Sequence, residues 1–326
     1  MPQPFDAVLM IAFGGPQAPP DIRPFLANVL RGRRVADGRA EEVAHHYEVV
    51  GGRSPITELT RSQAEGLQAR LAEAGVPLPV FVGMRNWHPY LADTLASMAQ
   101  AGIRRAIGFI AAAHHSYSSC TQYRENVRDA RAALARAGLP DVEVTYAGGW
   151  HDHPMFVEAN ADRVAAAMVG LDPAVRDRAR LVFTAHSIPE SMSSRYPYRA
   201  QFEETAGLVA ARVGREDRYD TVYQSRSGRP DDPWLGPDIC DYLRDARTAG
   251  LEAVVVSPVG FVCDHVEVLY DLDVEAADVC RSIGLPMVRA QAVNDHPRFL
   301  DMMADVVLRV CSRYQRARPL ELLAAV

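Results

Sequence analysis

A histidine and a file of carboxylates are the side chains of this sequence best suited to acid–base or metal chemistry. His186 follows the apolar run LVFTA and precedes Ser-Ile-Pro, so it is expected at the end of a buried strand. Burial disfavours the imidazolium cation, and a neutral imidazole can act as a base or as a metal ligand. A structural histidine that caps the sheet is the open alternative.

The carboxylates belong to the sequence CDHVEVLYDLDVEAADVC, which is predicted to form a helix. Spacings of 3, 4, 4 and 3 residues place five acids on one face: Asp264, Glu267, Asp271, Glu275 and Asp278. Like charges at this spacing repel, so a cation or bound protons would stabilise the row. Carboxylate oxygens suit hard or borderline divalent cations. A solvated acidic face is the alternative.

Two further segments carry groups that can bind a ligand. The hydroxyl-rich stretch HSYSSCTQY precedes a helix, where carboxylate or phosphate binds well and where N-capping is the alternative. Trp234 lies in a loop rich in Gly and Pro and can wall a flat aromatic ligand or anchor a core. Neither a GxGxxG nor a GxxxxGKS/T loop occurs at a predicted strand end, so a nucleotide site is not expected.

Short apolar runs alternate with amphipathic helical stretches along the chain. Eight runs are predicted strands, at residues 7–13, 80–83, 106–112, 142–146, 181–185, 221–223, 253–257 and 287–289. This alternation is typical of parallel sheets covered by helices on both faces. We therefore predict an α/β protein in which ligands bind beyond the carboxyl ends of the strands.

The predicted strands divide into two sets of four, with a Gly-Gly-Trp turn between the sets. The predicted domains are residues 1–148 and 149–295, with the ligand cleft between them. A last helix within residues 296–326 has no strand after it and is predicted to pack back on the first domain.

Composition and charge exclude several other classes of protein. The chain has 326 residues, of which 48% are hydrophobic and 23% charged, as in a globular protein. The net charge of −6 is spread without a broad basic patch, so nucleic-acid binding is not expected. No apolar run approaches the roughly 20 residues of a membrane span, and no signal peptide is evident. Five scattered cysteines fit reduced thiols, so a cytoplasmic protein is expected.

Several motifs resemble those of the ferrochelatase family, in the same order along nearly the whole chain. They are FGGP at 13–16, YEVVGGRSPI at 47–56, TAHSIP at 184–189, QSRSGRPDDPWLGPD at 224–238 and PVGFVCDHVEVLYDLD at 258–273. The resemblance implies two Rossmann-like, chelatase-type domains with a porphyrin in the cleft between them. It also implies a lyase of haem biosynthesis whose substrates are a porphyrin and Fe²⁺. HSYSSCTQY is similar to the actinobacterial branch, which converts coproporphyrin III to Fe-coproporphyrin.

The resemblance assigns roles to the histidine and to the acids. His186 and Glu267 are expected to be catalytic, to bind the metal and to face opposite sides of the ring. Asp271 and Glu275 are expected to be further metal ligands or a relay for protons and hydrated cations. His265 is expected to support Glu267 or the ring.

The candidate porphyrin-binding residues are Phe13, Ser54, Tyr123, Trp234 and Arg31. Ser54 and Tyr123 match positions that bind propionates in the actinobacterial branch. Phe13 stands where some relatives have a tyrosine, and a phenylalanine cannot ligate iron.

Two expected arginines are missing from the propionate-binding region. Leu30 and His46 stand where other members of the family have arginines. Because guanidinium groups pair bidentately with carboxylates, Arg31, Arg33 and Arg34 are the candidate replacements.

The cysteines do not match a complete cluster site. Cys120 lies where some relatives have one ligand of a 2Fe–2S cluster, and Cys311 is the only thiol in the C-terminal segment. Four thiolates are normally needed, so no cluster is expected. A monomer without stable membrane insertion is expected, with transient contacts to neighbouring haem-pathway enzymes. Three alternatives stay open: a protoporphyrin IX ferrochelatase, a chelatase for another divalent metal, and a non-catalytic haem or porphyrin carrier.

Overall fold

Each half of the chain forms a four-stranded parallel sheet, so the predicted α/β class is confirmed. The structure is a computed structural model that describes residues 3–32, 38–228 and 232–316. The strands of the first sheet are β1 (Ala7–Ala12), β2 (Val80–Met84), β3 (Arg105–Ile110) and β4 (Glu143–Tyr146). Those of the second are β5 (Arg180–His186), β6 (Tyr219–Gln224), β7 (Val254–Ser257) and β8 (Met287–Arg289). All eight predicted strands are present.

Both sheets have the same strand order. The first runs β2-β1-β3-β4 and the second β6-β5-β7-β8, so β1 and β5 occupy equivalent inner positions. In such a sheet the chain leaves the first inner strand toward one side and later returns on the other, which opens a crevice at the carboxyl ends. Phe13 follows β1 and His186 ends β5, so both lie at such a crevice.

Helices cover both faces of each sheet. The α-helices of the described residues are α1 (Ile22–Leu30), α2 (Arg39–Val49), α3 (Ile56–Glu73), α4 (Leu91–Gln100), α5 (Gln122–Arg136), α6 (Pro154–Met168), α7 (Pro173–Arg176), α8 (Glu190–Ser193), α9 (Tyr198–Arg212), α10 (Ile239–Thr248), α11 (Val266–Tyr270), α12 (Ala277–Ser282) and α13 (Pro297–Arg316). Two π-helical turns, Tyr117–Thr121 and Asp271–Ala276, lead into α5 and α12, and a 3₁₀ turn, Pro19–Asp21, precedes α1. No described helix is both long and apolar enough to cross a membrane.

The inner strands are apolar on both sides because helices bury both sides. Val8 and Met10 of β1 face a core formed with α3, α6 and α13, whereas Leu9 and Ile11 face a core formed with α4 and α5. The second sheet packs in the same way, against α6 and α9 on one face and α10 and α12 on the other. Continuous apolar runs in the sequence therefore correspond to strands without a solvent-facing side.

Helices α6 and α13 join the two halves. Phe156 of α6 belongs to the core of the first sheet, and Val164 of the same helix belongs to that of the second. The apolar face of α13, including Met303 and Val307, packs into the core of the first sheet. The boundary between residues 148 and 149 stays a prediction, and residues 317–326 of the predicted last helix lie outside the described residues.

Gly260 allows the turn after β7 to pack directly against β5. A Cβ atom at this position would lie 2.5 Å from the Cβ and 2.6 Å from the Cα of Ala185. Backbone and a short side chain cannot move aside, so Gly260→Ala should lower the free energy of unfolding by about 2 kcal/mol or more. Urea denaturation followed by circular dichroism measures this loss.

Gly148→Ala is the matched control, because a Cβ there meets no heavy atom within 4 Å. Its effect on the free energy of unfolding should stay within about 0.5 kcal/mol. Equal stability of the two variants would show that β5 and the turn after β7 are not in close contact.

Candidate active site

The orientation of the His186 ring is set by the chain around it. Its Nδ1 donates a hydrogen bond to the carbonyl oxygen of Ser187, which can only accept. The hydroxyl of Tyr198 donates to the carbonyl oxygen of His186 at 2.9 Å. With the proton on Nδ1, the neutral ring carries its lone pair on Nε2. The side chain is 31% exposed, so this lone pair is available to a ligand at the strand end.

Glu267 lies beside this lone pair and between two histidines. Its Oε1 is 3.8 Å from Nε2 of His186, and its Oε2 is 3.8 Å from Nε2 of His265. Burial lowers the pKa of His265, so this ring is neutral at physiological pH. Its Nδ1 has no hydrogen-bond partner among the described residues. The structure therefore brings the predicted catalytic pair and its predicted supporting histidine into one cluster.

The expectation that His186 and Glu267 face opposite sides of a ring is wrong for this structure. A flat ring between two groups needs van der Waals contact on both faces, or about 7 Å in all. The separation of 3.8 Å leaves no such space. Both groups therefore lie on the same side of any ring bound in the cleft.

Asp271 lies one helical turn beyond Glu267 and is almost fully buried, at 7% exposure. The hydroxyl of Ser225 donates to its Oδ2, and Nε2 of Gln224 lies 3.3 Å from the same oxygen. Burial raises the pKa of Asp271 to about 8, and the nearby charges of Glu267 and Glu275 also raise it. Asp271 is therefore mainly a protonated carboxylic acid at neutral pH.

Only the middle three acids of the predicted row stay together. Asp264 precedes α11 and accepts hydrogen bonds from Arg289 at 2.8 Å and from Asn294 at 2.9 Å. Asp278 pairs with Arg281 on the exposed side of α12. The prediction that all five acids share a face is thus wrong, because the helix begins later than expected and its periodicity changes in the π-helical turn.

Glu275 continues the row toward the surface. Burial raises its pKa, and the carboxylates of Asp238 and Glu42 raise it further. Because Glu42 belongs to α2 and Asp238 precedes α10, acids from three parts of the chain meet at the outer end of the row. Carboxylates and imidazole nitrogens are suitable ligands for a divalent transition metal.

Three of the predicted porphyrin-binding residues lie in packed parts of the first half of the chain. Phe13 packs edge-on to Phe25 with ring centroids 6.2 Å apart, in a cluster of α1 and α2 that also contains Val266. Ser54 and Tyr123 are only 4% and 6% exposed, so the structure buries both. The roles of all three in porphyrin binding stay predictions.

Arg31 and Trp234 are two further residues predicted to contact the porphyrin. Arg31 is exposed and donates to Oδ1 of Asn28 at 2.6 Å, and Arg33 and Arg34 lie outside the described residues. Trp234 packs on Gly228, where a Cβ would come within 1.9 Å of the indole Nε1. It lines a cavity of about 420 Å³ together with Ser187, the neighbour of His186.

His46 of α2 and Tyr270 of α11 form a contact between the two halves of the chain that the sequence did not indicate. Their rings are stacked, with centroids 3.7 Å apart and planes 9° from parallel. Burial, and then the Arg39 guanidinium, lower the pKa of His46, so the stacked ring is neutral. Leu30 ends α1 and makes no comparable polar contact through its aliphatic side chain. The position of His46 therefore joins α2 to the helix that carries Glu267.

Groups elsewhere in the described residues are less suited to the same chemistry. His151, Asp152 and Glu204 have ligand atoms within 4.8 Å of one another, but they lie at the surface. Cys120 is a free thiol in the first π-helical turn, and Cys311 is buried in α13. The best-supported site is therefore the row that begins at His186.

Comparison with known proteins relates this geometry to a family. Residues 5–310 match the family model described as ferrochelatase. The coproporphyrin III ferrochelatase of Streptomyces coelicolor is 44% identical, over 94% of this chain and 85% of the relative. That of Mycolicibacterium smegmatis is 46% identical, over 93% and 89%. The ferrochelatase of Rhodopirellula baltica is also 46% identical, over 93% and 86%.

Solved structures support the fold. SirB from Bacillus subtilis, in a structure with Fe³⁺, has a TM-score of 0.57 at 11% identity and covers 95% of this chain and 96% of its own. The sirohydrochlorin chelatase SirB of the spizizenii subspecies, in complex with cobalt, has a TM-score of 0.53 at 10% identity, over 94% and 95%. At these identities the likeness concerns architecture alone, which is that of two Rossmann-like domains.

The raised pKa of Asp271 predicts a pH-dependent cost to stability. The carboxyl group ionises near pH 4 in the unfolded chain but near pH 8 in the folded one. Its contribution to stability is complete below pH 4 and is lost as the pH rises toward 8. Asn cannot ionise, so Asp271→Asn should be more stable than wild type by a margin that grows from pH 5 to pH 8. Since each pKa unit corresponds to about 1.4 kcal/mol, the growth should be a few kcal/mol.

Chemical denaturation of both proteins at pH 5, 6, 7 and 8 measures this margin. Other titrating groups are common to the two proteins and cancel in the difference. A margin that is constant over this pH range would show that Asp271 is already ionised at pH 5.

Proposed function

The chain belongs to the ferrochelatase family, and we propose that it inserts Fe²⁺ into coproporphyrin III to give Fe-coproporphyrin for haem synthesis. It is a lyase whose substrates are a porphyrin and ferrous iron. The observation that carries the proposal is the free lone pair on Nε2 of His186, 3.8 Å from the Glu267 carboxylate at the cleft. The relatives named as coproporphyrin III ferrochelatases support the choice of porphyrin.

Metal insertion requires two pyrrole N–H protons to leave as Fe²⁺ enters the ring. The Nε2 of His186 accepts one proton, and the carboxylate of Glu267 accepts the other, because both lie on one side of the bound ring. His265 and Asp271 then offer further positions through which protons leave the site. When Asp271 is protonated, the negative charge nearest to His186 is that of the Glu267 carboxylate, which can stabilise the imidazolium that forms there.

The same groups are suited to hold Fe²⁺ before its transfer. Nε2 of His186 and the carboxylate of Glu267 offer a nitrogen and oxygens that suit ferrous iron, and Asp271 and Glu275 are further positions for the hydrated ion along the row. Distortion of the porphyrin toward a non-planar shape would aim its nitrogen lone pairs at the ion, so binding energy would favour the reacting geometry. Phe13, Ser54, Tyr123, Trp234 and Arg31 are the residues proposed to hold the porphyrin.

Three further features belong to this proposal. The enzyme acts as a cytoplasmic monomer without stable membrane insertion, and it contacts neighbouring haem-pathway enzymes only transiently. It does so without a 2Fe–2S cluster, because Cys120 alone matches a cluster position. Ferrous iron is its substrate and not a resident cofactor.

An anaerobic assay of metal insertion tests the proposed function. Purified protein is mixed with Fe²⁺ and either coproporphyrin III or protoporphyrin IX, and the absorbance of the metallated ring is followed. Parallel reactions with Co²⁺ and Zn²⁺ test for another chelatase. Faster turnover of protoporphyrin would overturn the substrate, and tight haem binding without any turnover would point to a carrier.

Substitution of the two central residues tests the site. His186→Ala should lower kcat at least about 100-fold, since it removes a proton acceptor, while porphyrin fluorescence quenching still reports binding. Glu267→Gln should lower kcat by a similar factor for the same reason. His45→Ala, which alters an exposed histidine of α2, is the control and should retain wild-type turnover. Wild-type rates in both site variants would exclude these roles.

A further inference from the structure

Gln224 is a buried residue at the centre of the site to which the reaction above assigns no role. It ends β6 and pairs in register with His186 at the end of β5. Its carbonyl oxygen accepts a hydrogen bond from the backbone N–H of Ser187 at 2.8 Å. At 1% exposure it cannot contact solvent, so its amide serves the protein interior.

The carboxamide of Gln224 reaches two residues of the acidic row. Its Nε2 donates to the backbone oxygen of Glu267 at 2.9 Å and lies 3.3 Å from Oδ2 of Asp271. The reversed amide would place an oxygen against the backbone oxygen of Glu267, which can only accept, so the orientation follows from this partner. Oε1 has no hydrogen-bond partner among the described residues. Among the described residues, the side-chain amide of Gln224 therefore makes hydrogen bonds only through its N–H groups.

The two acceptors lie on either side of a change in helix geometry. Glu267 belongs to α11, and Asp271 begins the π-helical turn. The carbonyl oxygen of Glu267 also accepts a hydrogen bond from the backbone N–H of Asp271, so Gln224 donates to the second lone pair of this oxygen. The Nε2–H groups of Gln224 therefore tie both ends of this junction to the strand next to His186.

We propose that Gln224 is a positioning residue for metal insertion, which holds Glu267 and Asp271 in register with His186. This inference rests on the proposed function of the site. It acts on the reaction only through those three residues, and it touches neither the porphyrin nor the metal. Substitution of a residue that hydrogen-bonds to a metal-ligating group commonly lowers metal affinity or activity by about 10- to 100-fold.

Gln63 provides a closely matched control within the same chain. It is also fully buried, and its Nε2 donates to two backbone oxygens, of Val262 at 3.0 Å and of Asn294 at 2.7 Å. Its Oε1 likewise has no partner among the described residues. Its acceptors lie outside α11 and the π-helical turn, so its loss should affect stability without moving the acidic row.

The test compares Gln224→Met with Gln63→Met, because Met preserves volume and removes the donors. For each variant, kcat, the KM for Fe²⁺, the Kd for coproporphyrin III by fluorescence quenching and the thermal midpoint are measured. Gln224→Met should lower kcat/KM for Fe²⁺ by about 10- to 100-fold, with porphyrin Kd within about twofold of wild type. Gln63→Met should lower the thermal midpoint but retain the wild-type KM for Fe²⁺.

Gln224→Leu, which has a similar size and no donor or acceptor, guards against a Met variant that fails to fold. It should show the same selective loss in kcat/KM for Fe²⁺. Wild-type metal kinetics in either folded Gln224 variant, or losses matching those of Gln63→Met, would overturn the positioning role. Inactivity of the wild-type protein toward every porphyrin would instead overturn the proposed function.

Discussion

The parallel pairing of β5 with β6 is the constraint on which the site depends. Register places His186 next to Gln224 at the carboxyl end of the sheet. The backbone of β6 then bonds to Ser187, and the side chain of Gln224 bonds to Glu267 and Asp271. A slip of one residue would turn His186 to the other face of the sheet and separate these groups. Sheet register is therefore a requirement of the chemistry as well as of the core.

Burial and the neighbouring carboxylates both raise the pKa of Asp271. Asp271 is buried among other carboxylates, so it holds a proton at neutral pH, whereas Glu267 is 42% exposed and lies between two imidazole rings. Neighbouring carboxyl groups in different environments can take different parts in one proton-transfer reaction. The burial of Asp271 also lowers the stability of the folded protein at neutral pH, because the unfolded chain favours the charged form of this carboxyl group.

The two halves meet at the cleft through packing that also fixes the acidic row. Helix α6 contributes to the cores of both sheets, and Val266 at the start of α11 packs into the cluster formed by α1 and α2. The stacked rings of His46 and Tyr270 lie a few residues further along the same surface. The helix that carries Glu267 is consequently held from both halves. His186 and Glu267 both belong to the second half, and their side chains approach to 3.8 Å.

The α/β class, the eight strands and the family could be predicted from the sequence alone, and His186 and Glu267 could be named as candidate residues. Apolar runs buried on both faces are a local property, and motifs retain their order along the chain. Three features could be seen only in the folded structure. His186 and Glu267 lie 3.8 Å apart, and Asp264 pairs with Arg289 instead of joining the acidic row. Gln224 connects β6 to the backbone of Glu267. These outcomes depend on hydrogen bonds between residues distant in sequence and on a π-helical turn that changes the helical period. The spacing rules for a regular α-helix predict neither these long-range hydrogen bonds nor the π-helical turn.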